Sequence, residues 1–209
     1  MANYAEKHWN EKKAEIMERC FNGFAELGLY GTGLRGIVSH CGYSTSVVYT
    51  YFEDLDDLIV QSTEYCMSKV EEEFMAKAPT DVEGMWRFID EVPHWTLENH
   101  GAKYRLMYQV YTHPKYRQYG PKFFAGVNKR YTEYAKLLEP KLGIPHHKLT
   151  PLIFLLIRAC VHYALFEDEF YLKAQIDILK EGLELIVMKY NPEARAAAQA
   201  RAAAQAKPV

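Results

Sequence analysis

The sequence predicts an all-α protein: an N-terminal three-helix bundle with a helix-turn-helix, followed by a larger C-terminal helical bundle, about nine helices in all. Three observations predict this. Apolar residues recur at a helical period along most of the chain, and no convincing run alternates residue by residue as a half-buried strand does. Glycine and proline fall mostly between the periodic stretches, where they punctuate helices. Residues 34–52 combine a turn glycine, a helix cap and the apolar spacing of two crossed helices.

Ile16, Cys20, Phe24 and Leu27 form the stripe of a first helix, which stops near Gly28 or Gly31. Two short helices, 34–41 and 45–52, flank Cys41-Gly42-Tyr43-Ser44. Ile37, Cys41, Tyr43, Val48 and Tyr51 are their apolar positions, and Gly42 supplies the freedom for positive φ. Ser44 caps the second of the pair. Asp54 caps a longer helix, 54–76, with Asp56 and Asp57 suiting its dipole. Pro79-Thr80-Asp81 opens a helix over 82–99, in which Pro93 removes a hydrogen bond and predicts a kink or break. Gly101, His113-Pro114 and Gly120-Pro121 bound helices near 102–112 and 121–140. After a loop at 140–145, two helices fill 147–167 and 169–190. Asn191-Pro192-Glu193 opens an Ala-rich segment in which ARAAAQ occurs twice; it has helix propensity but almost nothing to bury. The expected division is 1–53, 54–190 and a tail at 191–209.

The 209 residues carry 25 Lys+Arg against 27 Asp+Glu, and 49% are hydrophobic. That composition suits a chain with a real core and excludes wholesale disorder. The most apolar stretch, Leu152–Phe166, is short for a membrane span and contains Arg158 and His162. The N-terminus lacks the apolar core of a secretory signal, so a cytoplasmic protein without a membrane partner is expected. Cys20, Cys41, Cys66 and Cys160 show no CxxC, and read as small buried hydrophobes. No G-x-S-x-G, G-x-x-x-x-G-K-[ST] phosphate-binding loop or H-E-x-x-H occurs, and the histidines lack metal spacing. No catalytic residue, metal site or cofactor is expected.

Gly28–Ile37, Cys41-Gly42-Tyr43-Ser44, Val48-Tyr49-Thr50-Tyr51-Phe52 and Leu58 together give the sequence its resemblance to the TetR family of transcriptional regulators. The resemblance implies a DNA-binding three-helix module, a ligand-binding bundle and a homodimer built on the last two helices. It implies a repressor that binds a double-stranded DNA operator and is released by a small-molecule effector. Position by position, Thr32 and Arg35 would face phosphate, Thr45, Ser46 and Val47 would meet base edges, and Tyr49 would bond a phosphate through its hydroxyl. Ser44 would present the first-turn N–H groups of the recognition helix. The sequence departs from the family pattern at Leu55, where a lysine is usual, at Thr45, often basic, and at Gly33, usually a hydroxyl residue. Residues 1–60 hold five basic and nine acidic side chains, about −4. Fewer phosphate contacts imply weaker binding with a flatter salt dependence.

Between 104 and 134 stand Tyr104, Tyr108, Tyr111, Tyr116, Tyr119, Tyr131 and Tyr134, with Phe123 and Phe124 among them and Trp86 and Trp95 upstream. Tyrosine joins an apolar face to a hydroxyl, which suits either a pocket for an aromatic or amphipathic ligand or core packing. Arg158 and His162 share one face of an apolar helix, where a guanidinium must be paired or reach water: its partner is Asp90, Glu91 or Glu167, or it awaits a carboxylate or phosphate on a ligand. With the resemblance to a ligand-sensing family, the expected ligand residues are Trp86, Tyr104, Tyr108, Tyr111, Phe124, Tyr131, Arg158 and His162. Leu172, Ile176, Leu179, Leu183, Ile186 and Tyr190 form a stripe that fits an internal seam or a dimer interface. The resemblance favours the dimer, with Cys160, Ile176, Leu179, Leu183 and Ile186 at the contact. The alternative is a dimeric ligand-binding or interaction module with weak or lost DNA binding, which the acidic run Glu53-Asp54-Leu55-Asp56-Asp57 favours.

Overall fold

The computed structural model describes residues 2–29, 33–193 and 195–196. Among these are eight α-helices, one 3₁₀ turn (Arg117–Tyr119) and no strand. The helices are α1 (Ala2–Leu27), α2 (Leu34–His40), α3 (Thr45–Tyr51), α4 (Leu55–Lys77), α5 (Val82–Thr112), α6 (Gly120–Leu142), α7 (His146–Phe166) and α8 (Glu169–Tyr190). The count is close to that expected. Where two helices were expected over 82–112 the structure has one, so neither Pro93 nor Gly101 ends it. Gly101 is buried, where the lack of a side chain suits close packing. Thr32 and the tandem repeat beyond residue 196 lie outside the described residues.

The chain divides into two compact units, Met1–Lys77 with His100–Ala125, and Ala78–Asn99 with Gly126–Val209. Contacts therefore do not divide at residue 53, and α4 sits wholly with the N-terminal helices.

In the first unit α1 packs on α4 and α2, and α2 on α3. Ile16, Phe21 and Phe24 from α1 are buried with Ile37 and Val38 from α2, Val48 from α3, and Leu58 and Met67 from α4. Each such side chain contributes about 1.5–3 kcal/mol by leaving water. Gly28, at φ 83, ends α1 as expected. Gly23 lets the helices approach: a Cβ there would lie 3.0 Å from both Cys41 Sγ and Ile37 Cδ1. Cys20, Cys41 and Cys66 fill the same unit and are buried.

In the second unit α7 packs on α8. Leu156 and Cys160 from α7 are buried, as are Leu172, Ile176, Leu179, Leu183 and Val187 from α8. Glu167 joins the two helices in the left-handed conformation, φ 54, and Asp168 then caps α8 by accepting a hydrogen bond from the Tyr171 N–H at 2.9 Å. The α7 helix is longer than the apolar stretch 152–166, and by length and composition alone it could cross a bilayer. Leu149, Leu156 and Ala159–Val161 among its residues are buried within the chain, and it packs on α8.

Candidate nucleic-acid interface

The turn between α2 and α3 is built residue by residue. Gly42 takes φ 78, and the Tyr43 N–H donates back to the Val38 carbonyl at 2.8 Å. Ser44 is extended, and its Oγ accepts from the Val47 N–H at 3.4 Å while lying 2.9 Å from Ser46 Oγ. Val48 is the residue of α3 that is buried. With Val48 buried and Thr45 and Tyr51 half-buried, the outward face of this short helix is Ser46, Val47, Tyr49 and Thr50.

What faces outward is a row of hydroxyls. Ser44, Ser46, Thr50 and Tyr49 are exposed, Tyr49 by 55% and Val47 by 36%; Thr45 is half-buried. Thr50 Oγ1 donates to its own helix at the Ser46 carbonyl (3.0 Å), so it is partly spent. The Tyr49 phenol is carried outward by the same turn of helix that buries Val48. Arg35 is exposed on α2. The described DNA-reading candidates all lie in the first unit: Arg35 on α2, Ser44 at the cap of α3, and Thr45, Ser46, Val47 and Tyr49 on α3.

Two ties hold this surface to α1, and both escaped the sequence reading. The Tyr43 hydroxyl donates to Glu15 Oε1 at 2.9 Å. Lys12 and Arg19 both pair with Glu15 (2.8 and 3.1 Å), and their cations lie 5.1 and 5.6 Å from the Tyr43 ring. Burial, then the bond to Glu15, pushes the Tyr43 hydroxyl up to about 12. The bonds from Lys12 and Tyr43 hold the Glu15 carboxyl below its ordinary range. The second tie is Trp9 against Tyr51, ring centroids 4.3 Å apart. Lys7, Lys12 and Lys13 belong to the helix α1 itself. Lys7 and Lys12 pair with Glu11 and Glu15, and Lys13 lies over the Phe52 ring.

The acidic run beyond α3 is largely engaged. Asp54 Oδ1 accepts from the Asp57 N–H at 2.8 Å, so Asp54 caps α4 as expected. Asp57 in turn accepts from the Glu53 N–H at 3.1 Å and from Gln61 at 2.6 Å. Asp56 accepts from Lys115 and from the Tyr116 hydroxyl (2.6 Å for the latter). Burial pushes the Asp56 carboxyl up, but these two bonds outweigh it and hold the group below its ordinary range. Beside them lies a cleft of about 490 Å³ lined by these acids together with Glu64, Lys115 and Tyr119. Two tyrosines of the 104–134 run, Tyr116 and Tyr119, line this charged cleft.

The expected ligand residues do not fall in one unit. Tyr104, Tyr108, Tyr111 and Phe124 belong to the first; Trp86, Tyr131, Arg158 and His162 belong to the second. Tyr104 and Tyr111 are buried, and Tyr111 packs on Phe123 and Phe124 with centroids 5.4 and 6.0 Å apart. In the second unit Tyr131 is 1% exposed and Trp86 is half-buried. Tyr134 donates its hydroxyl to the Pro79 carbonyl and Tyr163 to Glu169, so several phenols serve as structural ties. Arg158 is exposed on α7. Asp90, one of its expected partners, pairs with Lys180. His162 packs between Phe166 and Tyr171 at 4.8 and 4.6 Å.

Cys160, Ile176, Leu179 and Leu183, expected at a dimer contact, are buried within the single chain, and Ile186 is half-buried. They form the α7–α8 seam. Large apolar side chains exposed on these helices are Leu155, Ile178 and Leu185 along their middle, at 58%, 64% and 65%, with Phe166, Phe170 and Tyr171 near the α7–α8 junction.

The fold is that of solved transcriptional regulators. A protein assigned as a transcriptional regulator from Pseudomonas aeruginosa PAO1 is similar with a TM-score of 0.61 at 13% identity, over 85% of this chain and 91% of that one. A transcriptional regulator of the TetR/AcrR family from Aquifex aeolicus VF5 is similar with a TM-score of 0.50 at 23% identity, over 83% of this chain and 98% of that one. At these identities the likeness is one of fold. No family model matches the sequence, and no curated protein matches it.

Proposed function

We propose that this chain is a ligand-responsive transcriptional repressor of the TetR type, acting in the cytoplasm. It binds a DNA operator as a homodimer and is released by a small aromatic or amphipathic effector. The observation that carries this reading is the outward row of Ser44, Ser46 and Tyr49 on a helix-turn-helix whose inward face is closed by Val48 and tied to α1 by Tyr43. Hydroxyls and first-turn N–H groups fix register on a phosphate backbone, whereas Thr45 and Val47 offer contacts to thymine methyl groups. With no arginine, asparagine or glutamine on α3, sequence-dependent DNA shape contributes to the choice of site.

The effector acts by binding one arrangement of the protein more tightly than another. Leu155, Ile178 and Leu185 are the residues proposed to meet a second copy, in place of the stripe buried in the α7–α8 seam.

A second reading is favoured by the acids after α3: a dimeric ligand-binding module of this fold that has lost useful DNA affinity. One titration separates the two. Fluorescence anisotropy against the upstream region of the protein's own gene, at about 50 mM salt where electrostatic affinity is strongest, should show specific binding that weakens with added salt. Binding no tighter than to unrelated DNA at that salt would reject the repressor and leave the second reading.

A further inference from the structure

Arg130, on α6 in the second unit, was not singled out by its sequence position, yet its environment is unusual. The side chain is half-buried, and its Nε and Nη2 are covered from solvent with no hydrogen-bond acceptor among the described residues. These two atoms form one edge of the guanidinium, the side-on fork that accepts a carboxylate through two parallel hydrogen bonds. Its third nitrogen, Nη1, lies back along its own helix, 3.7 Å from where a Cβ on Gly126 would stand. A charged donor pair stripped of water and left without an acceptor is unfavourable, and folded chains rarely keep one without a reason.

Protein carboxylates near it in sequence are engaged elsewhere. Glu133 pairs with Lys136 at 2.9 Å and Glu139 holds His146 at 2.6 Å. Two other buried polar atoms in the same unit, His162 Nδ1 and Gln175 Oε1, also have no partner among the described residues. The adjacent residue Tyr131 is buried with Val127 and Leu138, and Tyr134, one turn on from Arg130, bonds the Pro79 carbonyl, so Arg130 borders the interior face of α6.

We propose that Arg130 is the anchor for an anionic effector, an organic acid whose carboxylate takes the Nε–Nη2 edge of its guanidinium. The inference rests on the effector-binding reading above and gives that effector a chemical class. It moves the acid-binding role from Arg158, which is exposed, to Arg130.

The test uses the full chain without DNA. Isothermal titration with 4-phenylbutyrate, its neutral amide and phenylpropyl phosphate compares a carboxylate, an uncharged match and a phosphate on similar apolar bodies. The carboxylate should bind at least about tenfold more tightly than the amide, the preference a charged bidentate pair confers. Arg130→Gln should erase that preference, Arg130→Lys should retain part of it, and Arg158→Gln should leave it intact. Circular dichroism checks that each variant is folded; if Arg130→Gln does not fold, the Arg130→Lys comparison decides. Equal affinity for acid and amide, a preference that survives Arg130→Gln, tighter binding of the phosphate than of the carboxylate, or no binding by any of the three would overturn the proposal. Loss of operator binding in the separate DNA titration, with the carboxylate preference intact, would reject the repressor and leave the anion site standing.

Discussion

Tyr43 and Tyr49 stand close together in sequence and play opposite parts. Tyr43 is turned toward α1, where Glu15, Lys12 and Arg19 enclose its ring and hydroxyl. Tyr49 is turned outward at 55% exposure. The helical period decides this: Val48 must face the core, so its neighbour Tyr49 cannot. Tyr49→Phe removes the hydroxyl and keeps the ring. If the phenol bonds phosphate, operator affinity falls by about 0.5–1.5 kcal/mol, about twofold to twelvefold, with the thermal midpoint unchanged. Anisotropy titration beside a melting curve reads both quantities, and unaltered affinity would remove Tyr49 from the interface. The outward position of Tyr49 was legible in the sequence because it follows from local spacing. The Tyr43–Glu15 bond was not, since it joins residues 28 apart through the crossing of two helices.

At the scale of elements, the first unit depends on how closely α1 and α2 approach. Gly23 sets that distance, with Cys41 Sγ and Ile37 Cδ1 each 3.0 Å from the Cβ it lacks. Gly23→Ala forces the helices or these side chains apart at a cost of about 1–3 kcal/mol, despite alanine's better helix propensity. The thermal midpoint should fall by about 2–4 °C per kcal/mol. A midpoint equal to or above the parent's would show that the neighbours yield freely. Helix boundaries marked by caps were readable from sequence: Gly28 and Asp54 act where expected. The break expected near Gly101 was not found, because breaker residues report a local cost that tertiary packing can override. Similarly, the stripe on α8 was readable as a stripe, but pattern alone cannot say whether its partner lies in the same chain. Burial assigns it to the seam with α7.

For the whole molecule, that assignment relocates the proposed assembly surface to Leu155, Ile178 and Leu185. Ile178→Glu combined with Leu185→Glu should convert a dimer to a monomer in light scattering while leaving helicity intact, since neither side chain is buried in the single chain. Leu179→Ala, one residue from Ile178, should instead destabilise the fold itself by about 2–5 kcal/mol. A double glutamate variant that stays dimeric would place the interface elsewhere. The all-α class was legible because one period runs through nearly the whole chain. The candidate ligand residues were legible only as a composition: seven tyrosines in thirty-one residues signal apolar and polar capacity together, but not which unit each will join.

The cysteines carry a consequence beyond packing. All four are buried. Burial pushes the Cys66 and Cys160 thiols up to about 12, and Cys20 higher still, so the thiolate that attacks alkylating reagents is scarce at neutral pH. The native chain is thereby a silent background for labelling chemistry. A cysteine placed on the outer face of α3, as in Ser46→Cys, would be the one readily addressable thiol, and a fluorophore or spin label could report on the DNA-facing surface without first stripping the natural cysteines from the core.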